Sequence, residues 1–169
     1  EKSFTINARE ARSALEVVKL NSVFCMEAQM YRCHPIVAVL KEQVQTVKPL
    51  GNIVSVNAVF TAPIINLFNR TAGGAISDLG CYPVSLVRYL FGEPERFITA
   101  TADIVDADQA SSAFDREASC ELLLQGGIIA KIRTSNNEDL VWQFVITCEK
   151  GTISLSNLWE PTVDDAILI

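Results

Sequence analysis

Apolar residues recur every third or fourth position in three stretches of this chain and every second position in most of the rest. The first helical stretch covers residues 8–20, with Ala8, Ala11, Leu15 and Val18 on one stripe. Asn7 stands before it as an N-cap and Glu10 at the third helical position, the reciprocal pair of a capping box. Asn21-Ser22 ends this helix, and Val23-Phe24-Cys25-Met26 follows as a short apolar run of strand type. A helix leading into a short buried strand is one repeat of a parallel, doubly wound sheet. One repeat cannot bury itself, so residues 1–30 need a partner surface. The second helix is expected over 35–47, with Pro35 in its first turn and Ile36, Leu40, Val44 and Val47 facing the core. Lys48-Pro49-Leu50-Gly51 breaks it.

Val54, Val56, Ala58 and Phe60 then alternate with Ser55, Asn57 and Val59, a strand that Pro63 ends. Residues 63–74 form a loop before a third helix at 75–91, whose stripe is Ile76, Leu79, Val87 and Leu90. Pro83 inside that helix predicts a kink beside Tyr82, and Gly92 closes it. From residue 96 the pattern is strand after strand. Ile98, Ala100, Ala102 and Ile104 share one face, as do Ala118, Cys120, Leu122 and Leu124. Gln125-Gly126-Gly127 turns the chain into Ile128, Ala130 and Ile132, with Lys131 and Arg133 opposite. Trp142, Phe144, Ile146 and Cys148 continue, and Glu149-Lys150-Gly151 turns into residues 152–157. About five strands follow the third helix and one precedes it. The fold class is α+β: an open, mostly antiparallel sheet with helices on one face, preceded by a helix–strand unit.

Composition narrows what such a fold can serve. The 169 residues are 49% hydrophobic, enough for a sizeable core. Fourteen Lys and Arg against 20 Asp and Glu leave a net charge of −6, and no basic run interleaves with aromatics, which excludes nucleic acid and anionic membrane as partners. Five cysteines at irregular spacing, with no Cys-x-x-Cys pair, argue against a zinc site or a disulfide framework and for a reducing cytoplasm. No apolar run is long enough to span a bilayer. The chain opens on Glu1-Lys2-Ser3-Phe4 and closes on Ala166-Ile167-Leu168-Ile169, both reading as cuts through a longer protein.

Residues 73–83, Gly-Gly-Ala-Ile-Ser-Asp-Leu-Gly-Cys-Tyr-Pro, concentrate the chemistry. Asp78 and Tyr82 lie four apart, so a helix projects both from one face, and Gly80 between them leaves the backbone bare for something to approach. A carboxylate and a phenol in that arrangement suit proton transfer, and a lysine such as Lys2 would complete an acid–base set. A surface helix pair is the alternative reading of the spacing alone. His34, before Pro35 at a helix start, is read as structural or capping. Arg32 and Arg70 could grip an oxygen-rich or anionic ligand, or be plain surface charges. Trp142 and Trp159 are read as packing, and Cys81 as small apolar filler.

The order and spacing of Glu1-Lys2-Ser3-Phe4, Met26-Glu27-Ala28, Arg32-Cys33-His34-Pro35, the 73–83 element, Phe91-Gly92-Glu93-Pro94 and Lys150-Gly151-Thr152-Ile153 resemble the Gfo/Idh/MocA oxidoreductases across nearly the whole chain. The tyrosine form of the Asp-Leu-Gly-x-Tyr element is most similar to the dimeric dihydrodiol dehydrogenase branch. This resemblance implies that residues 1–30 are the tail of an NAD(P)-binding Rossmann domain and that 31–169 form the substrate-binding and dimerisation domain. It implies Lys2, Tyr82 and Asp78 as the catalytic set, with Tyr82 as proton donor–acceptor and Asp78 also touching substrate hydroxyls beside Arg32 and Arg70. Glu1 and Lys2 then lie next to the cofactor, NAD or NADP, and no metal is needed. Ser3 departs from the proline usual after that lysine. No Gly-x-Gly-x-x-Gly occurs, so the dinucleotide is expected to be held mainly by a domain absent from this chain, and these residues alone to be inactive.

In that chemistry a base takes the hydroxyl proton as hydride leaves carbon. A free phenol titrates near pH 10, and a neighbouring ammonium favours its ionised form. The expected function is hydride transfer between nicotinamide and a sugar, polyol or diol, in a homo-oligomer joined through the open sheet. Thr99, Thr101, Glu121, Lys131 and Arg133 lie on its second face. The alternative is a non-enzymatic ligand-binding or oligomerisation module on the same sheet.

Overall fold

The computed structural model describes residues 2–46, 48–65, 73–105, 113–155, 157, 159, 160, 162 and 167–169. Helix α1, Ala8–Leu20, has the predicted bounds, with the Asn7 side chain accepting the Glu10 N–H at 3.0 Å and donating to the Glu10 carboxylate at 3.0 Å. Helix α2 spans Pro35–Thr46, and the His34 Nδ1 accepts the Ile36 N–H at 3.2 Å, so this histidine caps. Strand β1, Ile53–Thr61, follows. A five-residue π-helical turn, Ile76–Gly80, leads directly into α3, Cys81–Phe91. Six strands complete the order: β2 Arg96–Val105, β3 Phe114–Leu123, β4 Ile129–Ser135, β5 Val141–Cys148, β6 Thr152–Leu155 and β7 Ile167–Leu168.

The strands form one open sheet in the order β2-β3-β4-β1-β5-β6-β7. Every pair is antiparallel except β1 with β4, where Ser55 lies opposite Ile129 and Thr61 opposite Ser135. Between β3 and β4 the chain reverses over Gly126 and Gly127, at φ +77° and +79°, a left-handed pair that side chains disfavour. One face of the sheet takes the helices. Val56, Ala58, Ala130, Phe144 and Ile146 from the strands meet Val37 and Leu40 of α2 and Leu86 and Val87 of α3, none more than 1% exposed. Each such aliphatic side chain contributes about 1.5–3 kcal/mol by leaving water. The other face is polar, with Lys131 paired to Glu121 at 2.9 Å, Arg133 to Glu117 at 3.0 Å, and Asn57 donating to Gln143 at 3.0 Å.

Three expectations need correction, and one short strand was not anticipated. Val23–Met26 is not a strand: among the described residues nothing pairs with it, and Val23, Phe24 and Met26 are 55%, 87% and 66% exposed. The third helix is not a single α-helix kinked at Pro83; the irregularity is the π turn Ile76–Gly80, which ends before Cys81, and Pro83 sits in the first turn of the α-helix that follows. In β2 a register shift between Phe97 and Thr99 takes Ile98 out of the alternation. Finally, the strand β7, two residues long, is too short to carry a period and was not read.

Candidate active site

The site is assembled where the π turn meets the sheet. Gly73, at φ +106°, and Gly74 bring the chain in, and Gly74 is pressed against β3 so closely that a Cβ there would lie 2.2 Å from the Asp115 carbonyl oxygen. Asp115 Oδ2 accepts the Ile76 N–H at 2.6 Å. Burial pushes the Asp115 carboxyl above its ordinary value, while the N–H groups of Ile76, Asp115 itself and Gly74 pull the other way. From β4 the Thr134 hydroxyl donates to the Ala75 carbonyl at 3.3 Å. Gly80 faces this same threonine, and a Cβ would sit 3.1 Å from Thr134 Cγ2. The bare backbone at Gly80 therefore receives a strand, not a ligand.

On the opposite side of the turn lies the N-terminal segment. The Lys2 ammonium donates to both the Asp78 carboxylate and the Asp78 backbone carbonyl, 76 positions away, and stands 5.2 Å from the centre of the Tyr82 ring. Pro83 can donate to neither Asp78 O nor Leu79 O, which leaves this stretch of carbonyls open to outside donors. The Lys2–Ser3 peptide is cis. The Ser3 hydroxyl donates to Ser77 O at 3.0 Å and the Phe4 N–H to the Glu27 carboxylate at 2.7 Å, so three consecutive residues are tethered. Tyr82 is 8% exposed, with the rings of Phe60, Trp159 and Tyr31 centred 5.5, 5.6 and 6.0 Å away. Lys2 and Asp78 retain 19% and 35% side-chain exposure, so the ion pair is reachable from solvent above a buried phenol.

The structure thus brings Lys2, Asp78 and Tyr82 together. Arg32 is placed elsewhere: its guanidinium donates to Ser85 O at 3.0 Å and Ser85 Oγ at 2.6 Å and lies 5.1 Å from the Tyr89 ring centre. It lines an open cleft of about 470 Å³ with Glu27, Gln29, Cys81, Arg88 and Glu93, beside the three-residue group but not including it. The cations of that cleft are engaged, Arg32 by Ser85 and Arg88 by Glu93, as Lys2 is by Asp78. Arg70 and Glu1 lie outside the described residues. Burial pushes the Cys81 thiol up to about 11 despite Lys2 nearby, which fits an inert filler. Trp159 is 1% exposed in the core cluster, as packing requires. Asp115 was missed by sequence reasoning, because an acidic residue before Arg116-Glu117 reads as an ordinary polar strand position; only the paired glycines hinted at a close neighbour. Among the described residues no group of three His, Cys, Asp or Glu could hold a metal ion, and no helix is long and apolar enough to cross a membrane.

Comparison with known proteins agrees with this architecture. Residues 39–154 match the model of the GFO/IDH/MocA C-terminal domain. D-xylose 1-dehydrogenase (NADP(+)) 2 of Haloferax volcanii is 33% identical over 141 residues, 80% of this chain and 41% of that protein. Trans-1,2-dihydrobenzene-1,2-diol dehydrogenase of Mus musculus is 29% identical over 168 residues, 96% of this chain and 48% of its own. The solved structure of KijD10, a 3-ketoreductase from Actinomadura kijaniata in complex with TDP-benzene and NADP, superposes with a TM-score of 0.84 at 19% identity, covering 98% of this chain and 50% of that one, a likeness of fold. The chain spans about half the length of the curated relatives it matches. With the family model covering well over half of the chain, including most of the sheet and all of α3, the chain belongs to the GFO/IDH/MocA family.

Proposed function

We propose that these residues form the substrate-binding and oligomerisation portion of an NAD(P)-dependent oxidoreductase that transfers hydride between nicotinamide and a sugar, polyol or diol. The observation that carries this reading is the Lys2 ammonium, fixed by two Asp78 oxygens over the Tyr82 ring. The named activities of the xylose and dihydrodiol dehydrogenases support it. Residues 1–30 are then the tail of the dinucleotide-binding domain and 31–169 the substrate domain. In support, α1 buries no residue, and Leu20 and Phe24 are 83% and 87% exposed.

The eight glycines of the chain form no Gly-x-Gly-x-x-Gly turn, so a dinucleotide pyrophosphate has no cradle in these residues. What would fit here is the reacting end alone, with Lys2 the residue offered to the nicotinamide. When bound, the nicotinamide takes or supplies the hydride. The protein handles the proton. Tyr82 accepts the proton of the substrate hydroxyl in oxidation and returns it to the carbonyl in reduction. A cation beside a phenol favours the phenolate, the role assigned to Lys2. Asp78 keeps the ammonium from swinging to solvent and offers its second oxygen to a substrate hydroxyl. Arg32, in the adjoining cleft, is the cation offered to an oxygen-rich substrate. A second copy docks on the polar sheet face around Thr99, Thr101, Glu121, Lys131 and Arg133. Light scattering tests that dimer.

The test of function is turnover. The complete gene product should oxidise pentoses or trans-diols with NAD or NADP, and Tyr82→Phe should lower kcat by about 10²–10⁴ with the fold intact. The 169 residues alone should neither bind the dinucleotide tightly nor turn over. A folded Tyr82→Phe protein with undiminished kcat would favour a non-enzymatic binding module.

A further inference from the structure

We propose that Asp115 is a positioning residue for the Lys2–Asp78–Tyr82 group, acting through the glycine turn that opens the π segment. The inference rests on the dehydrogenase reading above. Strand β3 delivers this carboxylate by an irregularity: Asp103 pairs with Glu117 but Ile104 with Asp115, so Arg116 is the extra residue of a bulge. Arg116 turns outward to pair with Asp103 through Nε at 2.9 Å, and the parity change sends Asp115 to the helix side. Bulges re-aim side chains in this way.

Once there, the carboxylate accepts the Ile76 N–H at 2.6 Å and packs closely against Gly74, and among the described residues no cation pairs with it. Holding a half-buried charge by amides alone is a strong local restraint. The restraint reaches the site in few steps. Gly74, packed against that carboxylate, accepts the Asp78 N–H on its carbonyl at 3.0 Å. Asp78 in turn presents its carboxylate and its carbonyl to Lys2, which stands over Tyr82. A single π turn is an uncommon backbone state, and the clamp fixes its first residues against β3. Gly74 is required for the same reason, because any Cβ would collide with Asp115.

The experiment uses the complete gene product with Asp115→Ala, Asp115→Asn and Tyr82→Phe, measuring steady-state kinetics and amide hydrogen exchange over residues 73–80. Asp115→Ala should speed exchange there by about tenfold or more and lower kcat by about 10²-fold, the scale of an ångström-size misplacement. The KM for the dinucleotide should stay within about twofold of its original value, and Asp115→Asn, which keeps one acceptor oxygen, should fall between. Unchanged exchange at residues 73–80 overturns the proposal. So does faster exchange with undiminished kcat while Tyr82→Phe is inactive, and in that case the dehydrogenase reading stands. A fully active Tyr82→Phe removes the dehydrogenase reading and the positioning role together. Should Asp115→Ala fail to fold, Asp115→Asn alone decides by the same two readouts.

Discussion

Helix α1 buries none of its 13 residues, whereas α3, with 11, buries Tyr82, Pro83, Leu86, Val87 and Leu90. Both carry an apolar stripe at the same spacing. The difference lies in what the stripe meets: α3 lies on a sheet face that supplies Phe60, Ala130 and Ile132, and α1 meets nothing comparable among the described residues. Amphipathicity states that a helix has a face to hide, and the rest of the chain decides whether it is hidden. Lys2 precedes that helix, yet its side chain is only 19% exposed, held by two Asp78 oxygens beside the Tyr82 ring.

The contrast can be broken or sharpened by measurement. The largest effect should be chemical. Cys25 and Cys33 are exposed and should react promptly with iodoacetamide at pH 8, whereas Cys81, with its thiol near 11, is thiolate to only about one part in 10³ there. Its labelling should rise about tenfold per pH unit until the thiol titrates, because the deprotonated fraction does. Rapid labelling of Cys81 at pH 8 would mean that α3 opens readily at its first turn. Next in size is Leu86→Ala, which removes a side chain with 0% exposure from the α3 face and should cost about 2–5 kcal/mol in urea unfolding. Asn7→Ala deletes the α1 cap and should weaken that helix by about 1 kcal/mol, read as faster exchange in residues 8–12 with the sheet unaffected. Leu20→Ala, at 83% exposure, should change unfolding by less than about 0.5 kcal/mol. A large loss there would show that α1 is covered in solution by another surface, another copy included.

These regions also differ in how much of them could be read from the chain. The bounds of α1 follow from a stripe closed by a capping box, and those of α2 from Pro35 and the break at Lys48-Pro49, all local signals. The alternation in β3, β4 and β5 was equally legible, because one face of each is buried against helices. The parallel pairing of β1 with β4 was not, since partners some 70 positions apart leave no trace in a local pattern. Pro83 marked the right neighbourhood for an irregularity, but the sequence cannot distinguish a proline kink from a π turn that ends at Gly80, just before the proline's helix. Val23–Met26 has the composition of a buried strand and no sheet to join among the described residues. At the site, spacing alone paired Asp78 with Tyr82. Lys2 was offered as the lysine that would complete the set and gained its place through family likeness, and Asp115 entered through neither, because its role depends on a bulge that no residue type announces.

The central claim is that Lys2 acts on Tyr82 as one unit with Asp78. A double-mutant cycle on kcat in the complete gene product tests it most directly, comparing Lys2→Met, Tyr82→Phe and the double variant. Groups that work as a unit are strongly non-additive, so the double variant should be about as slow as the slower single one. Losses that multiply, with each single variant folded, would contradict the claim and assign the two residues separate roles.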